Sequence, residues 1–326
     1  MRSVTIVIPV YNEARSIQEN LKEILKYARD TADVSVRILV VNDGSSDNTA
    51  ELVYELSVSE KDIDILSLNR NFGKEAAIKA GLDYASGDAV IVMDSDLQHP
   101  PRLLPQMIEL WKQGADVVEC SKTGCENKTF IQAVLRNFFF IVFELPTGLA
   151  IRDQSDFKLL DRKVVAEYCR LPEHTRFFRG LIRWMGYSSA QIYFDVPERS
   201  GGNTSWSLFR LARYAVSAIV SFTSFPLHII SGCGLLTFLL SMVFGGKALF
   251  DKLSGNAVDG FATVILLILF IGSALMFSIG LIGIYIAQIY DEVKSRPSYI
   301  VSRKGTSADT VSHENACTER KEDKMP

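Results

Sequence analysis

Two glycine-rich fingerprints are missing from this chain. No Gly-x-x-x-x-Gly-Lys-Ser/Thr loop and no Gly-x-Gly-x-x-Gly turn follows the first apolar run, Val4 to Val10, which excludes the P-loop nucleotidases and the dinucleotide dehydrogenases. Cysteine is scarce: five residues, at 120, 125, 169, 233 and 317, form an odd set without metal-ligand spacing. Cys120 and Cys125 therefore read as half-buried packing residues. An excess of charge is lacking as well. The 326 residues carry a formal net charge of −3 with 22% charged and 48% hydrophobic side chains, which argues against nucleic acid as a partner and fits one large or two smaller folded units. No secretory signal with a cleavage site opens the sequence, so a reduced, cytosol-facing portion is expected.

One segment has no charge at all. Phe261 to Ala287 holds 27 uncharged residues, more than the ~20 apolar residues that a membrane helix requires. Phe225 to about Phe250 is a second apolar stretch, with His228 and Lys247 near its ends where they can snorkel. The short polar link Asp251 to Gly260 suits a helical hairpin. Arg199, Arg210 and Arg213 precede the first span and Lys294, Arg296, Arg303 and Lys304 follow the second, against Lys252 alone in the link. The positive-inside rule then puts both termini in the cytoplasm. Between residues 205 and 222, Trp206, Phe209, Tyr214 and Ile219 alternate with Arg210 and Arg213, as in an interfacial helix.

The first 200 residues alternate differently. Val4–Val10, Val36–Val41, Ile63–Leu68 and Ala89–Met93 are short β-branched runs separated by helical periodicity around Leu21, Leu52 and Ile78. That order predicts parallel strands with crossover helices, and it gathers the strand-terminal loops on one sheet edge. The loops are polar: Pro9-Val10-Tyr11-Asn12-Glu13, Asn42-Asp43-Gly44-Ser45-Ser46-Asp47, Asn69-Arg70-Asn71-Phe72-Gly73, and Asp94-Ser95-Asp96-Leu97-Gln98. On an extended segment Asp94 and Asp96 point the same way, so they can share a divalent cation with Gln98 as a further oxygen donor. Each loop alone also fits a helix cap or a turn. Together they supply acceptors for a base and ribose, an arginine, and a metal for a pyrophosphate.

These motifs, taken in order with the hairpin behind them, resemble the family-2 glycosyltransferases of GT-A fold over about residues 1 to 300. Within that family they are most similar to the polyprenyl-phosphate sugar transferases. The resemblance implies an α/β, GT-A (Rossmann-like) mixed sheet domain at 1–200, an amphipathic juxtamembrane segment at 201–224, two transmembrane helices within 225–290, and a cytoplasmic tail at 291–326, whose polar composition after 305 predicts that it is largely disordered there. It implies that Asp43 contacts the nucleoside, that Asp94, Asp96 and Gln98 hold Mg2+ or Mn2+ against the diphosphate, and that Pro9, Tyr11, Glu13, Arg70, Gly73, Lys74 and Ser95 help bind the nucleotide sugar. Ser155-Asp156-Phe157-Lys158-Leu159-Leu160-Asp161-Arg162 resembles the family's acceptor-side segment. The family often has lysine where Ser205 precedes Trp206, and arginines where Lys122 stands alone.

The implied reaction moves a sugar, glucose in the first place and mannose or a modified arabinose as alternatives, from a nucleotide sugar such as UDP-glucose to a polyprenyl (undecaprenyl) phosphate with inversion. A lipid phosphate is already ionised and needs no strong base, but it needs cations, for which Lys122, Lys158, Arg199 and Arg210 are the candidates. Asp156 is a candidate to orient sugar hydroxyls or act as a base, or else to pair with Lys158 or Arg162. A processive polysaccharide synthase fits less well, because Gly180-Leu181-Ile182-Arg183-Trp184 lacks the glutamine of Q-x-x-R-W and two spans are few for a polymer channel. A membrane-anchored binding protein without turnover is the remaining class. The expected partners are thus the nucleotide sugar, the lipid phosphate and the inner membrane of a bacterial-type cell; a homo-oligomer is compatible with the sequence, which does not set the oligomeric state.

Overall fold

The structure is a computed structural model that describes residues 2–31, 33–123, 154–174, 176–195, 225–254 and 260–305. Arg199, Arg210, the stretch 205–222 and the tail after 305 lie outside the described residues, as does Cys125. In chain order the elements are β1 (Arg2–Val10), α1 (Ile17–Arg29), β2 (Val34–Asn42), α2 (Thr49–Ser59), β3 (Ile63–Leu68), α3 (Lys74–Tyr84) and β4 (Ala89–Val92). After a single 3-10 turn at Pro101–Leu103 come α4 (Leu104–Lys112), β5 (Val117–Thr123), β6 (Gln154–Asp161), α5 (Arg162–Arg170), α6 (Phe178–Trp184) and β7 (Ser189–Asp195). Two long helices, α7 (Phe225–Leu253) and α8 (Phe261–Val293), precede a last strand, β8 (Val301–Gly305).

The strands form one mixed sheet in the order β7-β5-β6-β4-β1-β2-β3-β8. β4, β1, β2 and β3 run parallel, as the alternation of strands and helices predicts. β6 enters antiparallel between β4 and β5, and β8 is antiparallel at the β3 edge. Both sheet faces are covered, so the central strands are buried along their length. Ile6 and Ile8 of β1 join Ile17, Leu21, Ile24 and Leu104 in one layer. Val7 points the other way, into a layer with Ile78, Leu160, Val164 and Phe178. The helix α1 shows how the sequence sets this up: its buried Ile17, Leu21, Ile24, Leu25 and Ala28 recur at helical spacing and form one apolar stripe.

α7 and α8 run past the expected 250 and 287, to Leu253 and Val293. Each contains a stretch long and apolar enough to cross a membrane, Pro226–Phe244 and Phe270–Val293. Their apolar side chains, including Leu235, Phe238, Phe270 and Phe277, stand exposed. Among the described residues little packs against these side chains, and helices apolar all round and of this length are compatible with a membrane span.

The end of α8 and the residues after it do not form a simple tail. Glu292 accepts the His174 backbone N–H at 2.9 and 3.0 Å. The Tyr299 hydroxyl donates to Asp83 at 2.8 Å, and the Asn69 N–H donates to the Ile300 carbonyl at 2.8 Å. β8 then pairs with the backbone edge that β3 would otherwise leave open. Residues 292–305 are thereby part of the sheet domain.

Candidate active site

The carboxyl ends of β1 to β4 lie along one edge of the sheet, and their loops are bound to one another there. The Asn12 N–H donates to Ser45 Oγ at 3.0 Å, and the Ser46 N–H donates to Asn12 Oδ1 at 2.9 Å. The Glu13 N–H donates to Thr49 Oγ1 at 2.9 Å. Asp43 is buried, and its two carboxylate oxygens accept the Phe72 and Gly73 backbone N–H groups at 2.8 and 2.9 Å. Burial raises the Asp43 pKa against those two hydrogen bonds. In this geometry the carboxylate holds the 69–73 loop against the 42–47 loop. Gly44 sits at the crossing with φ +61°, and a Cβ there would lie 2.3 Å from the Arg70 carbonyl carbon. Only glycine fits both the backbone angle and the approach. The Arg70 guanidinium lies over the Phe72 ring, 4.3 Å from its centroid.

The acidic pair stands beyond β4. Asp94 is half-buried and Asp96 exposed, with the Gln98 N–H donating to Asp96 Oδ1 at 3.1 Å. Ser95 is buried, and its carbonyl accepts from Asn20 Nδ2 at 2.7 Å. Glu13 faces the pair: burial, then the Asp96, Asp47 and Asp94 charges, raise its pKa. Tyr11 is exposed and Pro9 half-buried beside it. His99, which carried no role in the sequence reading, accepts the Asp94 N–H at Nδ1 at 3.0 Å and stacks on Phe157 with centroids 5.1 Å apart. Burial lowers its pKa against the pull of Asp94, and accepting at Nδ1 leaves the ring proton to Nε2.

Asp156 reaches the same place from β6. The register pairs Val92 with Lys158, so two residues further on Asp94 comes level with Asp156. Asp156 pairs neither with Lys158 nor with Arg162. Its Oδ2 is 2.7 Å from Lys74 Nζ, which is also 2.6 Å from Asp94 Oδ1, and its Oδ1 is 2.6 Å from Arg179 Nε. A second Arg179 nitrogen reaches Asp156 at 3.2 Å. Burial alone would raise the Asp156 pKa, but the Arg179 and Lys74 charges and hydrogen bonds outweigh it and hold the carboxyl far below the usual range. For Lys74, burial is likewise outweighed by the Asp156 and Asp94 charges, so its pKa is raised. Behind the cluster, Glu75 accepts the Phe178 N–H at 2.9 Å and fixes the start of α6; burial, then the Asp156 charge, raise its pKa to about 7.

Lys158 is a correction to the acceptor set. It is fully buried, and its Nζ lies 2.7 Å from Glu119 Oε1 and 3.2 Å from Gln154 Oε1. Burial lowers its pKa against the Glu119 charge. Side chains alternate along β6, so Lys158 shares a face with Asp156, but it stands one step inside the sheet, directly across from Glu119. It cannot meet a substrate phosphate there. Lys122 lies on β5, where its backbone pairs with Phe194. Cys120 is fully buried, and burial pushes its thiol up to about 12 against the Lys158 charge, so it is inert packing. Sequence reasoning missed Arg179 and Glu75 as well as His99. The signal for Arg179 was a basic residue beside Phe178 at the start of an apolar helix, which only the fold turns toward Asp156.

Among the described residues, no group of three or more His, Cys, Asp and Glu gathers to hold a metal. Asp94 and Asp96 offer hard oxygens suited to Mg2+ or Mn2+, in a number that leaves positions for phosphate oxygens and water. The residues therefore fit an ion shared with a diphosphate better than one caged by protein.

A family model for glycosyl transferase family 2 matches residues 5–169. A glycosyltransferase of Synechocystis sp. is 36% identical over 92% of this chain and 94% of its own length. The SfII prophage-derived bactoprenol glucosyl transferase of Shigella flexneri is 35% identical over 92% of this chain and 97% of its own. Among solved structures, glucosyl-3-phosphoglycerate synthase of Mycobacterium tuberculosis with Mg2+ and UDP is similar over 68% of this chain and 79% of that one, at 20% identity and a TM-score of 0.49. By the family match and by relatives at least 35% identical over 92% of its length, this chain belongs to glycosyl transferase family 2 and is a glycosyltransferase.

Proposed function

We propose that this protein moves glucose from UDP-glucose to a polyprenyl phosphate at the cytoplasmic face of a membrane, with inversion at the anomeric carbon. The observation that carries this reading is the state of Asp156. Its two oxygens are already engaged by Lys74 at 2.7 Å and Arg179 at 2.6 Å, so the carboxylate is set to hold cations rather than to serve as a base. Such a site suits a nucleophile that arrives ionised, as a phosphomonoester does near neutral pH and a sugar hydroxyl does not. The relatives named bactoprenol glucosyl transferase support both the lipid and the sugar.

In this reading Tyr11, Glu13, Asp43, Arg70, Gly73 and Ser95 line the nucleotide-sugar side with Pro9. Asp94 and Asp96, helped by Gln98, would hold Mg2+ or Mn2+, which when bound neutralises charge on the departing diphosphate. Lys74, set between Asp94 and Asp156, places a further positive charge at the same point. His99 fixes the backbone at Asp94, and so the direction of the acidic pair. α7 and α8 cross the bilayer as a hairpin. Because β8 returns to β3, the far end of α8 stays with the catalytic domain, which supports an arrangement with both on the cytoplasmic side. Lys122, Arg199 and Arg210 remain candidates for the lipid side.

Detergent-purified protein incubated with undecaprenyl phosphate, Mn2+ or Mg2+, and UDP-glucose, GDP-mannose or UDP-arabinose in turn tests the reading. A glucosylated lipid phosphate by mass, formed from UDP-glucose and abolished by a chelator, is expected. Product from another donor would replace the sugar and keep the class. No lipid product from any donor would refute the acceptor.

A further inference from the structure

Two cations, Lys74 and Arg179, share the single buried carboxylate of Asp156, whose side chain is 9% exposed while theirs are 43% and 38% exposed. The anchor is inside and the charges face outward. Lys74 has a second carboxylate in Asp94, so the four side chains are neutral together. Once Asp94 is engaged by a cation and diphosphate, Asp156 is left serving both Lys74 and Arg179, with Glu75 behind them feeling the same two charges.

Building on the functional reading above, we propose that Arg179 is the residue that receives the phosphate of the acceptor, with Asp156 as its positioning residue. Asp156 takes Arg179 Nε at 2.6 Å and a terminal nitrogen at 3.2 Å, which sets the plane of the guanidinium. A planar fork held in this way matches a phosphate better than an ammonium does. The element is fixed from two further sides. Glu75 holds the Phe178 N–H, one residue before Arg179. His174, in the loop that leads into α6, is bound through its N–H to Glu292 at the end of α8. Arg179 therefore sits on the part of the site tied to the apolar hairpin, where a lipid headgroup arrives. With Lys158 buried against Glu119, β6 offers no cation of its own for this task.

The step balances without a proton. A phosphate oxygen forms a bond to the anomeric carbon as the bond from that carbon to the β-phosphate oxygen breaks, and the electron pair leaves with the nucleoside diphosphate. The acceptor passes from a dianionic monoester to a monoanionic diester. Arg179 thus meets the larger charge before transfer, and its loss should weaken acceptor binding more than turnover.

The test uses full-length protein in detergent, with undecaprenyl phosphate, UDP-glucose and Mn2+. Arg179→Gln is expected to raise the KM for the lipid phosphate by about 10- to 100-fold, the range of a lost charge-assisted hydrogen bond, and to change UDP affinity by calorimetry less than about threefold, within 0.7 kcal/mol. Arg179→Lys keeps the charge on Asp156 and should fold as the wild type does, with an intermediate KM. Added guanidinium should recover part of the Arg179→Gln loss. An unchanged lipid KM in either variant overturns the proposal, and so does a loss of UDP affinity as large as the change in lipid KM. Wild-type protein that glucosylates no polyprenyl phosphate would refute the functional reading instead, whatever the variants do.

Discussion

Replacing Lys158 separates a structural cation from a substrate-binding one. Lys158 Nζ and Glu119 Oε1 are 2.7 Å apart with side-chain exposures of 0% and 2%. Gln154 completes the group, donating to Glu119 at 3.2 Å and accepting from Lys158 at 3.2 Å. Lys158→Met keeps the length of the side chain and leaves the Glu119 charge buried without its partner, which costs about 3–5 kcal/mol. At roughly 2–4 °C per kcal/mol for a domain of this size, the melting temperature of detergent-purified protein should fall by roughly 6–20 °C. Adding Glu119→Gln removes the orphaned charge and keeps a partner for Gln154, so most of the loss should return. The double variant should then transfer glucose to undecaprenyl phosphate with a lipid KM within about threefold of wild type, a difference of less than 0.7 kcal/mol. A double variant that regains its melting temperature and still fails on the lipid would refute the structural assignment. A single variant that melts within about 1 °C of wild type would refute the burial argument.

Asp96→Asn should lower kcat/KM by about 100-fold or more, the scale of a lost electrostatic contact at the leaving group, while the protein still fractionates with membranes; unchanged turnover would sink the metal assignment. Glu75 has its pKa raised to about 7 from 4.5, so between those values the folded state binds more protons than the unfolded one and stability falls as pH rises. The drop is at most about 3–4 kcal/mol, and melting between pH 5 and 8 should show most of it in wild type but not in Glu75→Gln, which keeps an acceptor for the Phe178 N–H; parallel curves would contradict the shift. Gly44→Ala forces a methyl to within 2.3 Å of the Arg70 carbonyl carbon at φ +61°, at a cost of about 1–3 kcal/mol. It should lower both melting temperature and UDP affinity by calorimetry, and no change in either would mean that the two loops do not meet as described.

The first four strands, their parallel direction and their strand-end chemistry were legible in the sequence because each is a local signal. A run such as Ile63–Leu68 is long enough, and sufficiently β-branched, to declare itself, and it spans the same residues in the structure. The parallel pairing of β1 to β4 follows from crossover helices that must cover both faces. The apolar runs of α7 and α8 required only composition and length. So the class of the sheet, the edge that bears the polar loops and the presence of two apolar helices were all determined by residues acting within a few turns of one another.

Pairings between distant residues were decided by the tertiary structure alone. A strand's alternation says that Asp156 and Lys158 share a face, but not that Glu119 stands across from one while Lys74 and Arg179 meet the other. One step of register along β6 separates a buried ion pair from an active-site anchor, and register is set by packing against β4 and β5. Arg179 comes from a short helix and Lys74 from a helix some hundred residues earlier, so no local pattern could join them. The return of β8 to β3 is of the same kind, because an open strand edge exists only once the sheet is built. Side-chain chemistry and periodicity can be read from neighbours in the chain, but the charge that each group sees depends on neighbours in space.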